Sequence, residues 1–301
     1  MNKIAVVGSL NIDLVAVTDV SPKMGETVIG KDFSMYPGGK GANQAVAGAR
    51  LGGDIEIFGT IGDDQHGHML ERQLKNDRVS TFSLQKRSDV PTGCALIEIC
   101  NAHNRIIVVP GANEKTDEAY LKSSMNAILN ADVILLSMEI PLPSIEYLVE
   151  ELYEHNKTIV LNPAPAVHLC EELISKVTYL LPNEYEAEII FGGTLSEDAA
   201  LKRYPNKLLI TKGEKGVTFF NGEEIETIPS IIVNPVDTTG AGDTFAGAFS
   251  YAISDGLPVK EAIRFAAIAA GLSVEKKGAQ SGMPTLAECN EYRKKVSDDE
   301  A

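Results

Sequence analysis

The 301-residue chain is 44% hydrophobic with a mean hydropathy of −0.03, which supports one large or two modest globular domains with a sizeable core and argues against disorder. Its 42 acidic residues outnumber 27 basic ones for a net charge of −15, which excludes nucleic acid or an anionic membrane as partner, since either needs a basic face. No run approaches the ~18 apolar residues of a membrane span, and Met1–Gly8 reads as a strand rather than a signal peptide, so a cytoplasmic protein is expected.

Ile4–Val7 is a short apolar run closing on Gly8-Ser9, the pattern of a buried first strand in a parallel sheet, whose C-terminal end is where such sheets bind ligands. Asn11 and Asp13 follow, separated by Ile12. The alternation points both polar side chains to one side of an extended segment, facing either a polyhydroxylated ligand or solvent. Residues 14–36 read as short extended pieces broken by Ser21-Pro22, Gly25 and Gly30, part of a small β lid. Within them, Gly25–Asp32 approaches a phosphate-binding P-loop. Asp32, however, stands where the magnesium-binding hydroxyl belongs, and F-S-M-Y-P-G-G cannot start the required helix. Gly38-Gly39-Lys40-Gly41-Ala42-Asn43-Gln44 then leads into a helix of small residues. Gly39-x-Gly41 lacks the third glycine of a dinucleotide fingerprint, while Lys40 and Asn43 offer donors to hydroxyl oxygens.

Ile55–Thr60 reads as a second strand, followed by a turn and a helix over His66–Asn76. Asp63, Asp64, His66 and His68 have the composition of a polar loop before a helix rather than of a metal cluster. Thr92–Cys100 and Arg105–Val109 are β-rich and joined by Asn101–Asn104, a hairpin that completes the lid, whose segments thus lie at about 12–36 and 92–109. So small a sheet cannot bury both faces alone, so it is expected to close on a ligand or to pair with a second subunit.

From Asp117 the pattern is regular α/β: a helix to about Leu129, a strand Val133–Leu136 leading to Glu139, a helix Pro143–His155, and a strand Thr158–Leu161 ending in Asn162-Pro-Ala-Pro165. The strand Tyr179–Leu181 runs into a helix at Asn183 and Glu186. Their spacing of three fits a capping box as well as an amide and a carboxylate that organise phosphate oxygens and hydrated Mg²⁺. Leu208–Thr211, Lys212-Gly213-Glu214-Lys215-Gly216 and Val217–Phe220 read as a glycine-containing hairpin. Cys94, Cys100, Cys170 and Cys289 lack C-x-x-C spacing and are expected to be buried reduced thiols.

In Val236–Phe249, V-D-T-T-G-A-G-D-T-F-A-G-A-F, the turn Gly240-Ala241-Gly242 opens a buried helix. The free amides of Ala241, Gly242 and Asp243 and the positive end of the helix dipole suit a phosphoryl group in transfer. Asp243, in the first turn, reads equally as an ordinary cap or as a general base toward a hydroxyl. Asp237 and Thr238-Thr239 supply oxygens for a hard cation. Two apolar helices follow, Asp243–Ala252 and Val259 to about Val274, before the loop Lys276–Gly282.

The D-T-x-G-A-G-D pattern at residues 237–243 resembles the second signature of the ribokinase family of sugar kinases, and Gly38–Asn43 resembles the first. The likeness covers nearly the whole chain. It implies a single ribokinase-like three-layer α/β/α domain over 1–301, with a mostly parallel central sheet and a small β-sheet lid. It implies sugar contacts at Asn11, Asp13, Gly39, Lys40, Asn43 and Glu139, and magnesium at the N-x-x-E pair Asn183 and Glu186. Thr211, Lys212, Gly213, Glu214, Lys215 and Gly216 would cover the ATP phosphates and ribose. Asp243 would be the base, with Gly240, Ala241 and Gly242 shaping the anion hole. A potassium site is implied at Asp237, the Thr239 carbonyl, and the loop with Ser273, Lys276, Gly278 and Gly282.

Three departures bear on that transfer. Gly282 stands where a hydroxyl side chain is common, Ala267 stands where an Asn or His often touches adenine, and Ser273 and Lys276 contribute only carbonyls. The implied activity is ATP-dependent phosphorylation of D-ribose at the 5-hydroxyl by a lid-paired homodimer. Asn11 favours ribose, because an amide placed for the 2-hydroxyl is left unpaired by a deoxy sugar. A deoxyribose or other pentose kinase is the alternative within the class. A non-catalytic sugar or nucleotide sensor is the alternative outside it, against which an intact Asp243 and glycine turn argue.

Overall fold

The computed structural model describes residues 3–101 and 103–299. Five parallel strands make its centre, in the spatial order Tyr179–Leu180, Thr158–Asn162, Val133–Ser137, Lys3–Val7 and Asp54–Phe58. These strands are apolar on both faces, as a sheet covered on both sides requires. Ile4, Val6, Val133, Leu135 and Val160 enter one core, and Ala5, Val7, Ile134, Leu136 and Ile159 enter the other. The first core is closed by the helices Lys40–Arg50, Ala241–Ser254 and Val259–Ser273, the second by Glu118–Ile128 and Leu142–Glu154. The result is a three-layer α/β/α body. Parallel bridges Leu180↔Leu208 and Asn183↔Thr211 attach the antiparallel strands Leu209–Thr211, Val217–Phe220 and Ile225–Ile228 to its edge, so the sheet is mostly parallel.

Two helices of the first core are built from small residues, and that choice sets the site. A Cβ at Gly247 would lie 2.5 Å from the carbonyl oxygen of Gln44 and 2.8 Å from the Cβ of Ala47. The Ala241–Ser254 and Lys40–Arg50 helices therefore cross backbone against backbone. Below the crossing, Phe249 stacks on Phe245 with centroids 6.1 Å apart and meets Tyr179 edge-on at 5.0 Å. The buried Phe245 and Phe249 rings each contribute roughly 1.5–3 kcal/mol, while Tyr179 is half-buried.

The lid is a separate sheet of Asp32–Gly38, Asn11–Thr18, Gly93–Cys100 and His103–Val109 in that order, with the central pair parallel. Residues 19–31, expected to be extended pieces of the lid, form no strand, since no neighbour takes up their backbone groups in a ladder. The turn-rich stretch over residues 25–31 is a loop there, and Asp32 opens the strand that follows. The short helices Glu171–Lys176 and Glu197–Arg203 escaped the periodicity reading because two turns carry too few apolar positions. Of the four cysteines expected to be buried, Cys289 is; Cys94 and Cys100 are half-buried on a lid strand, and Cys170 is exposed because it caps the first of these helices at the surface. Among the described residues, no helix is long and apolar enough to cross a membrane.

Candidate active site

Gly240 turns the chain into the Ala241–Ser254 helix in the left-handed conformation, φ 78°. A Cβ there would lie 2.8 Å from the Cβ of Ala279, so glycine alone fits between the turn and the following loop. The helix start carries no side-chain cap, and a side chain at Gly242 would meet nothing within 4 Å. The first-turn backbone thus faces open space where an anion is favoured. Of the three amides expected there, that of Ala241 reaches the Thr238 carbonyl at 3.3 Å.

Asp243, in that first turn, is 7% exposed and held on both oxygens. Asn43 Nδ2 donates to Oδ2 at 2.9 Å and Gln44 Nε2 to Oδ1 at 3.0 Å. Gln44 also donates to Asn162 Oδ1 at 3.1 Å, and Gln280 Nε2 to Asn43 Oδ1 at 3.0 Å. Lys40 stands nearby, its pKa raised chiefly by the Asp243 charge, with Glu139 and Glu186 adding to it. A buried carboxylate is tolerable only with such partners. Asp243 lines a cavity of about 210 Å³ with Lys40, Asn162, Asn183, Glu186, Thr211, Gly240 and Gly242.

Beyond Lys40 the expected sugar contacts gather where the lid meets the sheet. Glu139 Oε2 accepts from the Ser9 hydroxyl, from the Lys40 amide at 3.2 Å and from Asn11 Nδ2 at 3.5 Å. A Cβ at Gly38 would lie 2.4 Å from an Asp13 carboxylate oxygen, and one at Gly39 2.6 Å from the Asn11 amide nitrogen. Those glycines let the strand and helix start close on the two polar side chains. Burial, helped by the charges of Glu139 and Asp243, pushes the Asp13 carboxyl up to about 6.

A cavity of about 850 Å³ adjoins the smaller one, the two sharing Thr211, Gly242 and Phe245. Its polar end holds Thr211, Gly213, Glu214, Lys215, Gly216 and Thr238, and its apolar walls are Ile231, Ile232, Val233, Ala267, Ala270, Gly271 and Val274. Ala267 therefore sits on a largely apolar wall, in which Ser230 beside Ile231 carries a hydroxyl. The Lys212 side chain is not brought in, because its ammonium pairs with Glu197. Asn183 and Glu186 form a full capping box, each side chain bonded to the other's backbone N–H at 2.8 Å. Burial, its largest cause, raises the Glu186 carboxyl. Cap and cavity wall are thus the same residue, since only one Glu186 oxygen is used by the cap. One carboxylate at the phosphate side is a donor set that fits Mg²⁺, which takes few protein ligands and completes its shell with phosphate and water.

At the implied monovalent site, Asp237 accepts from the Thr239 amide at 3.0 Å and the Gly278 amide at 2.8 Å. These bonds hold its carboxyl below the usual range despite burial, the largest contribution, which works against them. A Cβ at Gly282 would lie 2.0 Å from the Ser273 carbonyl oxygen and 3.6 Å from that of Lys276. The two carbonyls therefore converge on Gly282, which brings no oxygen of its own side chain. Carboxylate and carbonyl oxygens are donors of the kind that suits a hard monovalent ion.

The pfkB family carbohydrate kinase model matches residues 1–286. The chain belongs to that family. Against this pfkB kinase, the ribokinase of Bacillus subtilis is 45% identical over 292 residues, covering 97% of this chain and 99% of the relative. A ribokinase crystal structure from Thermotoga maritima superposes with a TM-score of 0.90 at 34% identity, covering 98% of this chain and all of that one. The Arabidopsis thaliana ribokinase, solved with ribose and ATP, gives 0.88 at 31%, over 96% and 98%. The family fold agrees with the α/β body and the separate lid.

Four residues of the site were not singled out by sequence reasoning. Ser9 reaches Glu139, Gln44 reaches Asp243, Gln280 reaches Asn43, and Asn113 Nδ2 donates to Asn11 Oδ1 at 2.7 Å. Gln44 was signalled by standing next to Asn43 inside a glycine motif. Asn113 is brought 102 residues back to Asn11 by the lid's return, and no local pattern announces that.

Proposed function

We propose that this protein transfers the γ-phosphoryl group of ATP to the 5-hydroxyl of D-ribose. One observation carries the reading: a buried, doubly hydrogen-bonded Asp243 stands at the junction of an 850 Å³ apolar-walled cavity and a cluster of sugar-type donors and acceptors, beside an uncapped helix start. The cavity takes the nucleotide, with adenine against the Ala267–Val274 wall and the phosphates toward Gly213–Gly216 and Gly242. Asn11, Asp13, Gly39, Lys40, Asn43 and Glu139 hold the sugar hydroxyls.

In the step itself, Asp243 accepts the hydroxyl proton as the new O–P bond forms. The bond from the γ-phosphorus to the bridging oxygen breaks, leaving ADP and ribose 5-phosphate. The Gly242 and Asp243 amides and the Lys40 ammonium offset charge on the transferring group, a preorganised stabilisation typically worth roughly 3 kcal/mol per donor. Glu186 and Asn183 would hold Mg²⁺, which lowers the phosphate charge when bound. Asp237 and the carbonyls of Thr239, Ser273, Lys276 and Gly278 would hold K⁺, with Gly282 packed against them. The exposed apolar row of the lid is proposed as the seat of a second copy of the chain.

A coupled ADP-release assay across ribose, 2-deoxyribose, fructose and adenosine tests the reading. Ribose is expected to give the highest kcat/KM, with 2-deoxyribose lower by at least about tenfold. Preference for 2-deoxyribose or adenosine would refute it.

A further inference from the structure

Asp243 is aimed by a chain of amides that begins outside the sugar and nucleotide pockets. A carboxylate only accepts hydrogen bonds, so the atom of Asn43 that faces Asp243 at 2.9 Å must be the amide nitrogen. That choice turns Asn43 Oδ1 the other way, where it needs a donor, and Gln280 Nε2 supplies one at 3.0 Å. The direction of every dipole in the row Gln280, Asn43, Asp243 is therefore fixed by the charge at its end.

Gln280 is 6% exposed and its Oε1 has no hydrogen-bond partner. An amide buried with one end unpaired costs stability that an isosteric methionine would not, so its presence calls for a use beyond packing. Its backbone is pinned as well: the Arg50 guanidinium donates to the Gln280 and Met283 carbonyls while its Nε pairs with Asp77 at 2.7 Å. Asn43 and Arg50 lie seven residues apart on one helix, two turns on the same stripe. The Ala279–Gly282 segment is thus clamped along the helix that carries the sugar donors, and its one side-chain contact to the base runs through Asn43.

We infer that Gln280 is a positioning residue for phosphoryl transfer: by donating to Asn43 it sets the orientation of that amide, and thereby holds the Asp243 carboxylate toward the acceptor hydroxyl. This rests on the reading of Asp243 as the base. The charged groups around that carboxylate, Asp13, Lys40, Glu139 and Glu186, come from other elements and are untouched by changes at 280.

The test is a double-mutant cycle between Gln280→Met and Asn43→Ala, read as kcat and KM for ribose and ATP. Gln280→Met alone is expected to lower kcat about 10- to 100-fold with KM for ATP changed less than about twofold. Gln280→Glu, which offers Asn43 an acceptor and so favours the reversed amide, is expected to fall further. In the Asn43→Ala background, Gln280→Met is expected to change kcat by less than about twofold, because the partner through which it acts is gone. Should Gln280→Met fail to fold, Gln280→Leu, equally uncharged and without a donor, closes the same cycle. Additive losses in the two backgrounds, or an unchanged kcat in the single variant, overturn the inference. A wild-type protein that does not phosphorylate ribose would instead overturn the proposed function.

Discussion

The residue with the sharpest pH signature is Asp13. Its carboxyl, raised to about 6 by burial and by its acidic neighbours, is an ionised acceptor for a sugar hydroxyl only above that pH. The predicted consequence is a kcat/KM for the sugar that falls with a single-proton slope below pH 6, measured across pH 5–8 at saturating ATP. The sign for stability is the opposite. A group that holds its proton more tightly when folded favours folding at low pH and loses that contribution as pH rises through 6. Asp13→Asn should therefore raise Tm relative to the parent at pH 8 and leave it unchanged near pH 4. At this scale the sequence told much: the alternation of Asn11 and Asp13 and the glycine turn before Asp243 were legible because backbone geometry follows from two or three adjacent residues. Whether Glu186 caps its helix or faces the cavity was not, since the same spacing serves both and the structure uses it for both. The ion pair of Lys212 was hidden for a related reason: its partner Glu197 lies on a helix too short to be read from the pattern.

Between elements, the decisive contact is the crossing of the Lys40–Arg50 and Ala241–Ser254 helices. Gly247 lies one turn beyond Asp243, and its missing side chain lets Asn43 and Gln44 come within hydrogen-bonding reach of the base. Gly247→Ala forces a methyl group against the Gln44 carbonyl and should cost about 1–3 kcal/mol in urea unfolding, with kcat reduced as the two amides draw back. A loss of stability with kcat intact would separate the crossing from the chemistry. The small-residue runs that make this crossing were visible in the sequence, but which helix meets which is a matter of topology. Asn43 and Asp243 are 200 residues apart, and Gln280 and Asn43 are 237 apart. The parallel core strands were read to within two residues because continuous apolar runs mark them well, whereas the short strands Thr60–Gly62, Gln85–Arg87 and Ile225–Ile228 were missed because three or four residues carry too little pattern. The lid loop over residues 19–31 was over-read because Gly and Pro breaks within extended stretches look alike in strands and in loops.

At the scale of the molecule, the acidic chain gathers a row of exposed apolar side chains on its lid. Phe33, Met35, Leu96, Ile106, Ile107, Val108 and Val109 are exposed on the lid, and Ile107 is 63% open. Such a row on a four-stranded sheet suits the second copy of the chain proposed above. Ile107→Lys is expected to convert a dimer to a monomer in size-exclusion chromatography with light scattering; an unchanged mass would assign the patch elsewhere. The body beneath supplies the claim on which the rest stands, that one carboxylate at one helix start takes the acceptor's proton. That claim is tested most directly by kcat of Asp243→Asn with ribose and ATP, alongside sugar affinity. An account with Asp243 as base predicts a fall of about 10²- to 10⁴-fold in kcat with ribose still bound and the fold intact. A variant turning over at close to the parent rate would contradict it.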